Sequence, residues 1–217
     1  MLKYDALIFD FDGTVADTAP GVIESIRHAL SQVGVEADET ENMKRFVGPP
    51  IRNTFENNFG LKGEKLETAM SEFRIFYDNE GAFLSNLFAG MEELFTGLKS
   101  LGIDIAIAST KNEASLNKII EYYGIKDVFK AIVGVGDPMN ATTKTQNILK
   151  AVRLMGANPE RTLMVGDRYF DAAGAEEAGI DFAIALYSDM APIEEFEGYG
   201  RVLEARDPLD ILEFIKR

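Results

Sequence analysis

The feature that most constrains this chain is the apolar run Ala6-Leu7-Ile8-Phe9, which ends on Asp10-Phe11-Asp12-Gly13-Thr14. Such a run bounded by a glycine turn predicts a strand buried on both faces, as in a parallel sheet. Two carboxylates at i and i+2 then emerge at its C-terminal end, where open α/β sheets place their ligands. One carboxylate of such a pair can attack while the other moves protons, and a hard cation such as Mg²⁺ neutralises both. Asp and Gly are also ordinary turn formers, so the stretch alone reads equally well as a solvated turn.

The rest of the chain repeats the pattern. Apolar runs at 103–108, 131–133, 162–165, 182–186 and 201–203 predict five further strands. Helical periodicity fills the gaps at about 90–100, 112–123, 143–155, 170–178 and 208–216. Alternating strands and helices predict an α/β fold built on a doubly wound parallel sheet. Residues 17–86 break the rhythm. Val22-Ile23…Ile26…Leu30 and Leu66…Met70…Phe73…Tyr77 have helical spacing, and no convincing strand lies between them. The expected organisation is therefore a core of residues 1–16 and 87–217 with an all-helical insertion, 17–86, placed after the first strand to act as a lid.

Composition narrows the partners. The 217 residues carry 22 Lys and Arg against 36 Asp and Glu, a formal net charge of −14. That argues against a broad nucleic-acid or anionic-membrane surface. It leaves room for an anionic substrate, because one metal ion and two lysines can set a local field. There is no cysteine, which excludes disulfides, thiol catalysis and Cys-based zinc sites. No signal-type segment or membrane-length apolar stretch is present, so a soluble, cytoplasmic protein is expected.

Three further stretches carry chemistry. Ser109 and Thr110 end the second strand of the core and are expected to start a helix, where a hydroxyl and fresh N–H groups make an anion site; Thr110-x-x-Glu113 also reads as a capping box. Gly166-Asp167-Arg168-Tyr169-Phe170-Asp171 follows another buried run, so Asp167 projects at the same sheet edge as Asp10. With Asp12 this makes a third acidic oxygen source, suited to an octahedral Mg²⁺. Asp171 follows one helical turn later and can orient a water or a lysine, or simply complement the helix dipole. Lys144 begins the preceding helix, with Lys111 and Lys130 as competitors; a lone lysine there is usually a solvated surface residue.

Other signals are weaker. His28, the single histidine, reads as packing or surface. Gly134-x-Gly136 lacks a third glycine, and no Gly-x-x-x-x-Gly-Lys-Ser/Thr loop exists, which excludes the dinucleotide and P-loop readings. Arg45 and Arg52 flank Gly48-Pro49-Pro50 and are candidates for gripping an anionic substrate tail, against a solvated-surface reading.

In order and in strand-end context, these stretches resemble the haloacid dehalogenase-like superfamily along nearly the whole chain. Asp10-x-Asp12-Gly13-Thr14 matches its first motif, Ser109 the second, Lys144 the third and Gly166-Asp167-x-x-x-Asp171 the fourth. Phe46-Val47-Gly48-Pro49-Pro50 and Gly90-Met91-Glu92-Glu93-Leu94 are similar to the phosphoglycolate phosphatase-like branch, and the helical insertion to that family's cap. Thr145 stands after Lys144 where many relatives have proline.

The resemblance implies a cytoplasmic, Mg²⁺-dependent phosphomonoester hydrolase acting on a small phosphorylated metabolite, phosphoglycolate phosphatase-like or 5′-nucleotidase-like. It implies Asp10 as nucleophile, forming an aspartyl-phosphate, and Asp12 as acid and base. The metal would sit on Asp10, the backbone carbonyl of Asp12 and Asp167. Ser109, Thr110 and Lys144 would bind phosphate, Asp171 would stand behind them, and Arg45, Arg52 and Lys111 would tune specificity. A β-phosphoglucomutase-type phosphotransferase is the alternative, although such enzymes typically carry Glu-Asp where this chain has Gly166-Asp167. A non-catalytic ligand-binding protein is a further alternative, and dehalogenation is disfavoured because dehalogenases lack the carboxylate that Asp12 supplies.

Overall fold

The computed structural model describes residues 2–37, 43–48, 50–136 and 142–217. Pro49 of the Gly48-Pro49-Pro50 stretch lies outside the described residues. The chain divides into two compact units, Met1–Ala16 with Leu87–Arg217, and Asp17–Asn86.

The first unit is the α/β core. Its strands are β1 (Ala6–Phe9), β4 (Asp104–Asn112), β5 (Ala131–Val135), β6 (Thr162–Gly166), β7 (Asp181–Ala185) and β8 (Leu203–Ala205). They form one six-stranded sheet in the order β5-β4-β1-β6-β7-β8, and every neighbouring pair is parallel. The strand order reverses at β1, so the crevice beyond its C-terminal end is a topological switch point.

Alternation along the strands decides which helix covers which face. Ala6 and Ile8 of β1 join Ala106, Met164 and Ile184 in one cluster with Ile148 and Ala151 of α6 (Lys144–Met155) and Ala172 and Ala175 of α7 (Tyr169–Ala178). Phe9 points the other way and packs edge-on against Phe95 of α4 (Met91–Ser100), with ring centroids 5.7 Å apart. Both faces of the sheet are thus covered, which is why β1 can be apolar at every position. Helices α5 (Glu113–Tyr122) and α8 (Pro208–Ile215) complete the layers.

The second unit contains α1 (Ala19–Gln32), the short α2 (Ile51–Asn53) and α3 (Gly63–Asn79). Ile26 and Leu30 from α1, Phe55, and Leu66 and Met70 from α3 form its core. A π-helical turn, Thr54–Asn58, follows α2. His28 stacks on Phe76 at 4.7 Å, and its Nε2 lies 3.3 Å from Glu72. Sequence periodicity found α1 and α3 but missed a short ladder where the chain crosses between units: β2 (Ala16–Asp17) pairs with β3 (Asn86–Leu87). Two-residue strands leave no periodic trace to read. Among the described residues no helix is long and apolar enough to cross a membrane.

Candidate active site

Asp10 follows β1 directly, and its N–H still donates to Val165 O of β6 at 2.9 Å. The ladder therefore fixes the backbone on which its buried side chain stands. The chain then turns tightly: the N–H groups of Val15 and Ala16 both donate to Phe11 O at 3.0 Å. Gly13 has φ +77°, and a Cβ on it would lie 2.2 Å from the Asp167 carboxylate. Glycine is required there for conformation and for space alike. Thr14 Oγ1 donates to Asp167 Oδ1 at 3.0 Å, so the loop after β1 orients the acid after β6.

Asp171 stands in the first turn of α7, where its carboxylate accepts the Arg168 N–H at 3.0 Å. Gly166 makes room for it, since a Cβ there would lie 2.4 Å from Asp171. Lys144, the first residue of α6, follows Thr143, whose hydroxyl caps the helix in a reciprocal pair with Gln146. Far from being solvated, its side chain is 4% exposed, and its ammonium lies 2.8 Å from Asp10 Oδ1 and 2.7 Å from Asp171 Oδ1. Both contacts are at ion-pair distance without hydrogen-bond alignment, and the aligned donation goes to Ala108 O at 3.0 Å.

The second strand of the core differs from the expectation. Ser109 and Thr110 do not begin a helix; β4 runs on through Asn112, and α5 starts at Glu113. The capping residue is Asn112, whose Oδ1 accepts from Ala114 N and Ser115 N, so the Thr110–Glu113 box does not form. Ala108 pairs with Val133 but Asn112 with Val135, so β4 takes four steps where β5 takes two. Ser109, Thr110 and Lys111 therefore sit in an irregular stretch, which re-aims side chains at a sheet edge. Ser109 is buried and its Oγ accepts the Lys111 N–H at 3.3 Å, whereas Thr110 is exposed. Lys111 Nζ lies 2.8 Å and 3.2 Å from the two carboxylate oxygens of Asp12.

The carboxylates of Asp10, Asp167 and Asp171 can each offer an oxygen within 4.8 Å of the others, and all three residues are buried. Burial first, then the Asp171 and Asp10 carboxylates, push Asp167 well above the usual carboxylate range. Burial likewise raises Asp171 to about 6, against the opposing pull of Lys144. Burial pulls the Lys144 ammonium down, but Asp10 and Asp171 outweigh it and hold it above its ordinary value. One ammonium against three buried carboxylates leaves negative charge uncompensated, and a hard divalent cation with oxygen ligands fits that set. The expected metal residues Asp10 and Asp167 lie in the cluster. Asp12 contributes no carboxylate to it, because its side chain pairs with Lys111.

The two arginines differ. Arg52 reaches Glu67 with two nitrogens, at 2.9 and 3.1 Å, and lies 3.8 Å from Glu56. Arg45 lies over the Phe46 ring and helps line a cavity of about 210 Å³ with Asn53, Thr54, Asn57 and Asn58. Sequence reasoning passed over three residues that brace the site. Asn147 Nδ2 donates to Ser109 O at 2.8 Å while its Oδ1 accepts from the Thr142 hydroxyl. Tyr187 Oη donates to Thr14 O at 2.8 Å. Thr14 belongs to the first motif, and its part is to hold Asp167 through its hydroxyl. Only Asn147 left a signal: a polar residue at i+3 from Lys144 shares its helix face.

A family model described as haloacid dehalogenase-like hydrolase matches residues 7–185. The chain belongs to this family. The tyrosine-protein kinase PtkA of Mycobacterium tuberculosis is 34% identical over 195 residues, which cover 90% of this chain. The chain spans only 63% of that relative's length. A 5′-nucleotidase of Pseudomonas aeruginosa is 28% identical over 179 residues, 82% of this chain and 81% of the relative. Among solved structures, a haloacid dehalogenase-like family hydrolase of Streptococcus pneumoniae matches with a TM-score of 0.88 at 25% identity, covering 98% of each chain. The likeness thus extends over both units.

Proposed function

We propose that this haloacid dehalogenase-like hydrolase is a phosphomonoesterase for a small phosphorylated metabolite and works through a phosphorylated Asp10. The observation that carries the reading is the buried Asp10 carboxylate at the switch point, held against Lys144 and two further acids. Asp10, the backbone carbonyl of Asp12 and Asp167 would hold Mg²⁺, which when bound cancels charge between an anionic nucleophile and an anionic phosphoryl group. An Asp10 oxygen attacks phosphorus, the ester P–O bond breaks, and Asp12 gives its proton to the departing oxygen. Asp12 then takes a proton from water as the water oxygen attacks phosphorus and the bond to Asp10 breaks, releasing inorganic phosphate. Ser109, the Thr110 N–H and Lys144 hold the other phosphoryl oxygens, and Asp171 keeps Lys144 in place. In this reading Arg45 contributes to substrate choice, while Arg52 is engaged by Glu67.

The test is phosphate release by the purified, Mg²⁺-loaded protein from 2-phosphoglycolate, nucleoside monophosphates, pyrophosphate and p-nitrophenyl phosphate. Release matching substrate consumed supports hydrolysis; none from a wide panel counts against it. The relative named as a kinase favours a second reading, phosphoryl transfer to an acceptor hydroxyl. That reading requires substrate to be consumed with label on the acceptor and little free phosphate.

A further inference from the structure

Two lysines serve three of the four acids at the sheet edge, the fourth, Asp167, being held by the Thr14 hydroxyl. Lys144 takes Asp10 and Asp171, both buried. Lys111 takes Asp12, with side-chain exposures of 9% and 17%. These two residues are 99 positions apart in sequence, and the irregular stretch of β4 brings them together. A regular β4 would pass Ser109 and Lys111 along one face as an i, i+2 pair. The register shift instead lets the Lys111 N–H close onto Ser109 Oγ while its side chain runs to the loop after β1.

We infer that Lys111 is the positioning residue for Asp12, which sets it apart from a substrate-specificity residue. The inference rests on the aspartyl-phosphate reading. Asp12 sits in the tight turn between Phe11 and Gly13, joined to Ala16 by one isolated β-bridge and outside any helix or extended strand, so its side chain keeps a choice of rotamers. An ammonium that reaches both oxygens selects one orientation from the staggered set. The contact at 2.8 Å anchors Oδ1. Oδ2, at 3.2 Å, is held more loosely and is the oxygen left to exchange a proton with the leaving group and with water. Lys111 thus links the hydroxyl assigned to phosphate with the acid assigned to proton transfer, through one residue's N–H and Nζ.

The experiment uses the full chain with Mg²⁺ and two substrates, 2-phosphoglycolate as the alkyl ester and p-nitrophenyl phosphate as the aryl ester. Lys111→Met is compared with Lys111→Arg, Asp12→Asn and the Lys111→Met/Asp12→Asn pair. Misplacing the acid should lower kcat on the alkyl ester by roughly 10- to 100-fold while KM moves less than about threefold. The loss should shrink on the aryl ester, whose leaving group needs no proton. Lys111→Arg should recover most of the rate. In the Asp12→Asn background, Lys111→Met should cost less than about twofold more, because positioning an absent acid has no value.

A rise in KM on both esters that persists in the Asp12→Asn background would overturn the inference and make Lys111 a substrate contact. Unchanged kinetics would overturn it as well. Should Lys111→Met melt unfolded, Lys111→Gln and the arginine variant carry the same comparison. A wild-type protein inactive on both esters would sink the hydrolase reading along with this inference, whereas an active one with the wrong variant pattern sinks only the role of Lys111.

Discussion

Both units of this molecule contain ion pairs, under opposite conditions. At the sheet edge Lys144 and Asp171 meet with side chains 4% and 0% exposed. In the helical unit Arg52 and Glu67 meet with side chains 42% and 65% exposed. Water screens the second pair, and such contacts contribute little. Desolvation makes the first costly to break and alters its proton affinities. Fold position decides which case applies: strands β1 and β6 carry their acids into a crevice under helix N-termini, while the helical unit turns its charges outward from an apolar core.

The sharpest way to break this comparison is to neutralise the acid at the switch point. Asp10→Asn keeps the shape and removes the nucleophile, so phosphate release should fall more than about a thousandfold with the fold intact. Circular dichroism and steady-state turnover check both halves. Residual activity near wild type would remove Asp10 from covalent catalysis.

Next in size is Lys144→Met. It leaves Asp10 and Asp171 buried without their counter-charge, and should destabilise the metal-free protein by about 3 kcal/mol. Urea unfolding in chelator measures it. A change under about 1 kcal/mol would mean that the buried cluster is electrostatically no different from the surface pairs.

The raised acids give a pH test with a definite sign. A carboxyl whose folded pKa lies above its unfolded value binds more protons when folded, so stability falls as pH rises between the two values. For Asp171 that window runs from about 4 to about 6, and the raised Asp167 adds to the effect with the same sign. The metal-free protein should therefore melt lower as pH rises through this window, by several degrees for a chain of this size. Asp167→Asn should flatten the slope, stabilise the metal-free form and weaken the response of the melting temperature to added Mg²⁺. Equal slopes in wild type and variant would place the titration elsewhere.

What could be read from the sequence divides along the same line. Local rules found the six core strands, because runs such as Thr162–Gly166 are apolar throughout and end on a glycine. They also found the acids at the strand ends. Local rules failed at Ser109–Asn112, where polarity suggested a helix start. There the pairing with β5 carries the strand past the end of its apolar run, and the ladder outweighs propensity. The partners of charges stayed hidden too. Apart from the motif match, Lys144 reads as an ordinary surface lysine, because nothing nearby in sequence announces that Asp10 and Asp171 surround it. The contact of Lys111 with Asp12 is equally hidden, because it depends on the register shift beside β5.

The smallest expected effects lie in the helical unit and sharpen the comparison from the other side. Arg45 and Arg52 looked equivalent in sequence, each flanking the same glycine-proline stretch. The structure separates them: Arg52 is forked onto Glu67, while Arg45 lines a cavity with three asparagines. Arg45→Ala should lower kcat/KM by roughly tenfold for a substrate with an anionic tail, the scale of one charge-assisted contact, and leave p-nitrophenyl phosphate unaffected. Arg52→Ala should change kcat/KM less than about threefold on either substrate and shift the melting temperature by no more than about 1 °C, because water screens an exposed pair. Parallel kinetics and melts of the two variants decide the matter. A tenfold loss from Arg52→Ala would show that Glu67 holds its guanidinium ready for substrate, and that an exposed pair in this unit does functional work.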